Sequence, residues 1–219
     1  MQDFSNAGSG DIVRTIAQRI VENRAYLSDI DGLIGDGDHG VNMAKGFSLA
    51  VNRLRGESQP LAASLATLGD VLMTEIGGSM GPLYGAMFLG FASALDGIEE
   101  IDAAAFEQML RNGLNEVQSI GDAKVGDKTL IDAYTPALRA FAAATASRQS
   151  FAAALDALVV AVEKGRDSTI DLVAKIGRAS RLAERSRGVL DPGAASCAII
   201  LRAFAEGAKA KLEMSDPRT

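Results

Sequence analysis

The sequence predicts an all-α chain folded as a single domain, a bundle of antiparallel helices with its functional loops gathered at one end. Three observations carry that expectation. Apolar residues recur at helical spacing along most of the chain, and no stretch alternates with the period of a strand. Alanine-rich runs, 5% aromatic residues and the absence of Trp favour helix over sheet. Glycine, proline and short polar residues with capping chemistry punctuate the periodic runs. With 47% hydrophobic and 23% charged residues the chain is ordinary for a globular protein, and no internal repeat or charge-block linker divides it. Residues 1–219 are therefore expected to form one domain, with 1–10 and 213–219 frayed.

Asp11 is placed as the N-cap of a first helix, whose stripe of Ile12, Ile16, Ile20, Val21 and Leu27 runs to about Ser28. A second helix opens at His39 or Gly40, carries Val41, Met43, Phe47, Leu49, Val51 and Leu54, and is expected to stop at Gly56. Pro60 suits the first turn of a third, with Leu61, Leu65, Leu68, Val71, Leu72 and Ile76 on its apolar face. A fourth begins at Pro82. The uncharged run Ile76–Leu95 around its start is broken by glycines and is too short in its helical part to span a bilayer. Asp102 caps a fifth helix through Phe106, Leu110, Leu114 and Val117, and Thr129 opens a sixth that Pro136 is expected to kink. A seventh is predicted from Ser150 to Lys175. Asp191 and Pro192 read as the N-cap and first residue of an eighth.

That makes eight helices and no strand. In an up-and-down bundle the links near 29–39, 77–81, 121–129 and 177–193, which follow helices one, three, five and seven, share a face. The net charge of -6 argues against nucleic acid as a partner. A single cysteine, Cys197, in an apolar run and a polar Met1–Gly10 without a signal-peptide core fit a cytoplasmic protein.

The first of those links holds the most unusual chemistry. Asp31, Asp36 and Asp38 fall within one short stretch, Asp-Gly-Leu-Ile-Gly-Asp-Gly-Asp-His-Gly-Val-Asn, interleaved with Gly32, Gly35, Gly37 and Gly40. Carboxylates held this close repel one another unless a cation neutralises them, and hard oxygen ligands select Mg2+ or Ca2+. The favoured reading is a Mg2+ site. Gly35, Gly37 and Gly40 match the dinucleotide fingerprint G-x-G-x-x-G, but the residues before them read as helix and two Asp side chains would repel a pyrophosphate. An EF-hand also fails, because Phe47 stands where its closing Glu belongs. Helix capping by Asp38 accounts for one carboxylate and leaves two.

The other links on that face add to it. Gly77-Gly78-Ser79-Met80-Gly81-Pro82 exposes amides at a helix N-terminus, where phosphate binds, although a tight turn has the same composition. Lys124 or Lys128, in the polar link 121–129, could meet a phosphate, although a solvated turn is the commoner meaning of such a stretch. The segment 177–193 carries Arg178, Arg181, Arg185 and Arg187 with little apolar periodicity, the mark of a lid over a polyphosphate or of a basic surface loop. Metal carboxylates, an amide-rich loop and cationic side chains are what phosphoryl transfer requires. The Walker A and protein-kinase signatures are absent.

Asp31-x4-Asp36-Gly-Asp38-His39-Gly40-x-Asn42, Gly77-Gly78-x-x-Gly81-Pro82-Leu83, Gly126-Asp127-Lys128-Thr129 and Gly177-Arg178-Ala179-Ser180 continuing to Asp191-Pro192-Gly193 together resemble the L subunit (DhaL) of bacterial dihydroxyacetone kinases, over nearly the whole chain. The resemblance implies an eight-helix barrel that binds ADP or ATP with two Mg2+ ions at one end. It implies that Asp31, Asp36 and Asp38 hold the metals and that His39, Gly40, Val41 and Asn42, with Gly78, Ser79 and Met80, surround the phosphates. Gly121, Leu130, Arg178, Asp191, Pro192 and Gly193 would complete the nucleotide site. One residue departs from the family pattern: a small hydroxyl residue often stands at Met80, so contact there should fall to backbone amides.

In that family the ketone is held by a separate DhaK-type subunit through a histidine. This chain has one His, inside the metal motif. The implied function is therefore the nucleotide-binding subunit of a dihydroxyacetone or similar short-ketose kinase, active only with a DhaK-type partner. A DhaM-type phosphoprotein that rephosphorylates bound ADP is a further implied partner, and the implied assembly is a homodimer or heteromer. ATP as the direct donor is the other variant, and erythrulose the other substrate class. A nucleotide-loaded module that regulates a transcription factor is an alternative of a different kind, and the L-like domain of fatty-acid kinases is a third.

Overall fold

The computed structural model describes residues 2–54 and 59–215, so the stop expected at Gly56 lies outside the described residues. Among those residues are nine α-helices, two 3-10 segments and two short strands. The strands β1 (Asp3–Ser5) and β2 (Glu100–Asp102) pair antiparallel, Phe4 opposite Ile101. Residues 3–5 are therefore ordered rather than frayed. Phe4 and Ile101 are both fully buried, and the Asn6 amide donates to Leu95 O at 3.1 Å and Ile98 O at 2.8 Å. Strands this short present too few residues for alternation to be visible in the sequence.

The expected first helix is two. α1 (Asp11–Glu22) ends at Asn23, whose side chain donates back to Arg19 O at 2.8 Å, and α2 (Arg24–Ile34) resumes at once. Neither Gly nor Pro marks the break. The N-cap of α1 is Gly10, not Asp11; Asp11 is the first helical residue and pairs with Lys211 at 2.7 Å. α3 (His39–Arg53) starts where expected. α4 (Leu61–Glu75) follows Pro60, and α5 (Met80–Ala94) starts two residues before Pro82. Asp102 caps α6 (Ala103–Ile120) by accepting from Ala105 N at 2.8 Å. Thr129 and Asp132 form a capping box at the start of α7 (Leu130–Ala146), which contains Pro136. α8 (Phe151–Ser168) is shorter than predicted: the chain passes through a 3-10 turn at Thr169–Asp171 and a kinked 3-10 stretch at Arg178–Ser186 before α9 (Pro192–Ser215).

α1, α3, α4, α5, α6, α7, α8 and α9 pack in a ring, each on the next and α9 back on α1, while α2 extends the first arm against α3 and α9. The barrel is filled by side chains. Phe106 meets Phe141, Phe151 and Phe204 at ring separations of 5.4, 5.5 and 5.3 Å, and Phe91 reaches Phe204 at 5.9 Å. Because α1 and α2 form one arm, the links that share a face follow α2, α4, α6 and α8. No helix among the described residues is long and apolar enough to cross a membrane.

Candidate functional site

α2 delivers the acidic stretch. Asp31 sits in its last turn, nearly buried, and one carboxylate oxygen accepts from His39 N at 3.2 Å. The helix stops at Gly35, and Gly37, at φ 78°, turns the chain so that Asp36 and Asp38 follow on the same side. Asp38 occupies the N-cap of α3 yet makes no capping hydrogen bond, which leaves its carboxylate free for another partner. One oxygen from each of Asp31, Asp36 and Asp38 lies within 4.8 Å of the others. Three hard, converging oxygens fit a Mg2+ or Ca2+ ion. Gly40 allows this approach: a Cβ there would stand 2.0 Å from Arg24 O and 2.7 Å from Ser28 N.

The carboxylates form one wall of a cavity of about 310 Å3, of the size that accepts a small ligand. The α4–α5 link adds Gly78, Ser79 and Met80 to the lining. Met80 and Gly81 belong to the first turn of α5, where amides have no carbonyl four residues back, and the positive end of the helix dipole faces the cavity. Gly121, Thr129 and Leu130 come from the α6–α7 link and the start of α7, and Val117, Leu83 and Ile131 add apolar surface. Arg178 closes a further side and pairs with Asp36. Asp191, Pro192 and Gly193 complete the lining at the start of α9, where Asp191 caps the helix through Ala194 N at 2.7 Å.

Most residues singled out in the sequence therefore meet here, His39 and Asn42 included. Gly40 and Val41 do not: Gly40 is packed against α2, and Val41 is on the outside of α3. Of the four arginines in the 177–193 segment only Arg178 lines the cavity; Arg187 is turned back to Asp171 O and Glu184. Lys124 is exposed and away from the lining. Lys128 lines it, but its ammonium is bonded to protein carbonyls.

Lining residues His39, Tyr84 and Gly193 are joined through Ser196 in a polar chain that sequence reasoning missed. His39 Nε2 lies 2.9 Å from Ser196 Oγ, Ser196 lies 2.6 Å from the Tyr84 hydroxyl, and Tyr84 donates to Gly193 O at 2.9 Å. Ser196, set in an apolar run of α9, gave no signal beyond being a lone hydroxyl there. Burial pushes His39 down to about 4, an effect that the Asp31 charge only partly opposes, so the ring is neutral at neutral pH. Asp191 is pushed up to about 7 by burial, against the pull of Ala194 N and the Lys128 charge. Burial likewise lowers Lys128, with the Asp191 charge opposing.

The DAK2 domain description matches residues 33–206. The ADP-binding subunit DhaL of PEP-dependent dihydroxyacetone kinase 2 from Listeria innocua is 36% identical over 213 residues, which cover 94% of this chain and 96% of that protein. The corresponding subunit from Escherichia coli is 36% identical over 201 residues, 91% and 92% of the two chains. L-erythrulose 1-kinase from Mycolicibacterium smegmatis is 33% identical over 198 residues, 89% of this chain but 34% of that enzyme. Among solved structures, the dihydroxyacetone kinase from C. freundii in complex with AMP-PNP and Mg2+ aligns with a TM-score of 0.67 at 27% identity, covering 90% of this chain and 33% of that one. The chain thus spans about a third of those two longer kinases. Sequence, fold and cavity agree, and the chain belongs to the DAK2-domain family, among the L subunits of dihydroxyacetone kinases.

Proposed function

We propose that the chain is the ADP- and Mg2+-binding subunit of a dihydroxyacetone kinase, a phosphotransferase that works on a ketone held by a separate DhaK-type subunit. The observation that carries this reading is the convergence of Asp31, Asp36 and Asp38 on a cavity that also receives the N-terminus of α5 and the Arg178 guanidinium. Those three carboxylates would hold two Mg2+ ions, which, when bound, neutralise phosphate oxygens and stabilise charge as the phosphoryl group moves. Gly78, Ser79 and Met80, which line the cavity, would meet the phosphates through backbone amides, consistent with Met80 offering no hydroxyl. His39, neutral and tied to Ser196, and Asn42 offer hydrogen bonds beside the carboxylates. Arg178 supplies the cation that meets charge developing on the transferred group. Gly121, Leu130, Asp191, Pro192 and Gly193 line the same cavity and would complete the nucleotide site.

In the transfer the ketose hydroxyl oxygen bonds to phosphorus as the bond between phosphorus and the ADP oxygen breaks. The acceptor comes from the DhaK-type partner in a heteromer in the cytoplasm. The PEP-dependent subunits match this chain over 96% and 92% of their own length at 36% identity, against 34% of its length at 33% for L-erythrulose 1-kinase, which favours ADP as a resident cofactor rephosphorylated by a DhaM-type phosphoprotein. The test has two steps. Freshly purified protein is denatured and its supernatant resolved by ion exchange, before and after dialysis without nucleotide; stoichiometric ADP that survives dialysis is expected, and an exchanging site points instead to ATP as direct donor. The protein is then assayed with Mg2+ and dihydroxyacetone, with and without a DhaK-type subunit and phosphodonor. Turnover only in the complete mixture is expected; turnover by the chain alone refutes the division of labour.

A further inference from the structure

The link between α8 and α9 carries Arg178 to the cavity, and one side chain draws its two ends together. Lys128 is 2% exposed, and its Nζ donates to Thr169 O and to Val189 O, each at 2.5 Å. Those carbonyls stand at the two roots of the link. A lysine in a link that reads as a solvated turn or a phosphate contact is committed instead to two peptide groups inside the protein. An ammonium on a long unbranched stem suits this task, since its donors diverge and charge-assisted bonds to carbonyls are strong.

The rest of the motif Gly126–Thr129 serves the same grip. Lys128 has φ 64°, a left-handed conformation unfavourable for a residue with a Cβ. Asp132 holds it there by accepting from Gly126 N at 2.5 Å and Thr129 N at 2.7 Å, on either side. Asp127 adds a second hold on the link: its carbonyl accepts from Lys175 N at 3.1 Å and its carboxylate from Lys175 Nζ at 3.0 Å. The roots are also joined directly, Gly188 N to Ile170 O at 2.8 Å and Asp191 N to Thr169 Oγ1 at 3.0 Å. Between the roots the link has its own bends, Gly177 at φ 71° and Ala183 at φ 49°. Further out, Ala174 N donates to Ser186 Oγ at 2.9 Å and ties the two sides of the link together.

We infer that Lys128 is a positioning residue: it clasps both roots of the 169–189 link and thereby sets where Arg178 stands over the cavity. This deepens the functional reading and rests on it for the ligand, while the clasp itself is a property of the fold. Lys128 lines the cavity, but its Nζ is committed to the two carbonyls, so its effect on binding passes through Arg178.

The experiment compares wild type with Lys128→Met, which keeps the stem and removes the donors, in two readouts. Limited trypsin digestion reports the link, because Arg178, Arg181, Arg185 and Arg187 are all exposed on it. Cleavage there is expected to accelerate by about tenfold or more in Lys128→Met. MgADP affinity is expected to fall by about tenfold in the wild-type background and by much less in an Arg178→Ala background, a coupling that general destabilisation does not produce. Thr169→Val, which removes a different bond of the same neck, should shift both readouts in the same direction. Unchanged trypsin rates overturn the clasp, and an equal affinity loss in both backgrounds overturns its action through Arg178. Should wild type bind no Mg-nucleotide, the nucleotide reading fails while the trypsin comparison still decides the clasp. Should Lys128→Met not fold, acetic anhydride labelling of wild type with peptide mapping decides it: Lys128 is expected to react at least about tenfold more slowly than exposed Lys124, and equal rates refute the clasp.

Discussion

The two ends of the barrel are held by different forces. At the end that carries β1 and β2, Phe4 stacks on Phe151 at 6.2 Å, and Phe106, Phe141 and Phe151 form a close aromatic cluster. Side-chain contact there is chiefly apolar and shared among many neighbours, with the Asn6 amide and the β1–β2 pairing adding a few directed bonds. At the cavity end the chain leaves its helices, and position depends on single hydrogen bonds: Asp31 to His39 N, Asp132 to Gly126 N and Thr129 N, Lys128 to two carbonyls, Tyr84 to Gly193 O. One end therefore sets how stable the protein is, and the other sets what it can bind. A change at the first is expected to lower stability with little effect on ligand affinity in the folded protein, and a change at the second to do the reverse.

The largest test of that division is Phe106→Ala. Removal of a fully buried ring should destabilise by about 3–5 kcal/mol, seen as a fall in Tm of roughly 10 °C, with MgADP affinity of the folded fraction unchanged. A comparable loss of affinity would break the comparison. Asp36→Asn is its counterpart, expected to cut kinase turnover in the reconstituted mixture roughly 100- to 1000-fold, equivalent to about 3–4 kcal/mol, with Tm level or higher because like charges are relieved.

Asp191→Asn probes the cavity end through pH, in nucleotide-free protein. The Asp191 carboxyl sits at about 7 in the fold against an ordinary 3.8, so between these values the folded state binds more protons than the unfolded state. Stability due to this group is thus present below about pH 4 and lost as pH rises through 7. An Asn caps equally well but carries no charge to bury. The difference in ΔG between variant and wild type should grow in favour of the variant from pH 4 to 7 and then level off. It should stay below the roughly 4 kcal/mol that a three-unit displacement carries, because the cavity admits water beside the carboxyl. A pH-independent difference would show that the capping hydrogen bond alone matters. The smallest effect belongs to Asp102→Ala at the strand end: loss of one N-cap should cost about 1 kcal/mol and leave nucleotide affinity untouched.

The same division explains what was legible in the sequence. Helices announce themselves by period and by caps, so α3, α6, α7 and α9 begin at or next to the residues that their capping chemistry marked, with Asp102, Thr129 and Asp191 in the roles expected. The break at Asn23 was hidden because the apolar stripe continues through it from Ile20 to Leu27. The extended seventh helix was wrong at its end because Ile170 and Val173 keep the helical period beyond the point where Thr169 turns the chain. In the site, Asp31, Asp36 and Asp38 were readable because three close carboxylates have few other uses. The buried role of Lys128 was hidden behind the readings of a solvated turn or a phosphate contact, since its two carbonyl partners lie 41 and 61 residues away. Ser196 was invisible for the same reason: its meaning comes from His39 and Tyr84, which only the folded barrel brings to it.

The closure of the ring by α9 against α1 has a consequence for attachment. α9 leaves the cavity at Pro192 and runs 24 residues, about 36 Å of helix, to the strand end. There Lys211 meets Asp11 at 2.7 Å and reaches Gly8 O. Residues near both ends of the described chain thus sit together on the side of the molecule remote from the cavity mouth. A reporter or immobilising tether joined near Gly8 or Lys211 would hang from that side, so a surface coated through it would present the cavity outward to a partner arriving from solution.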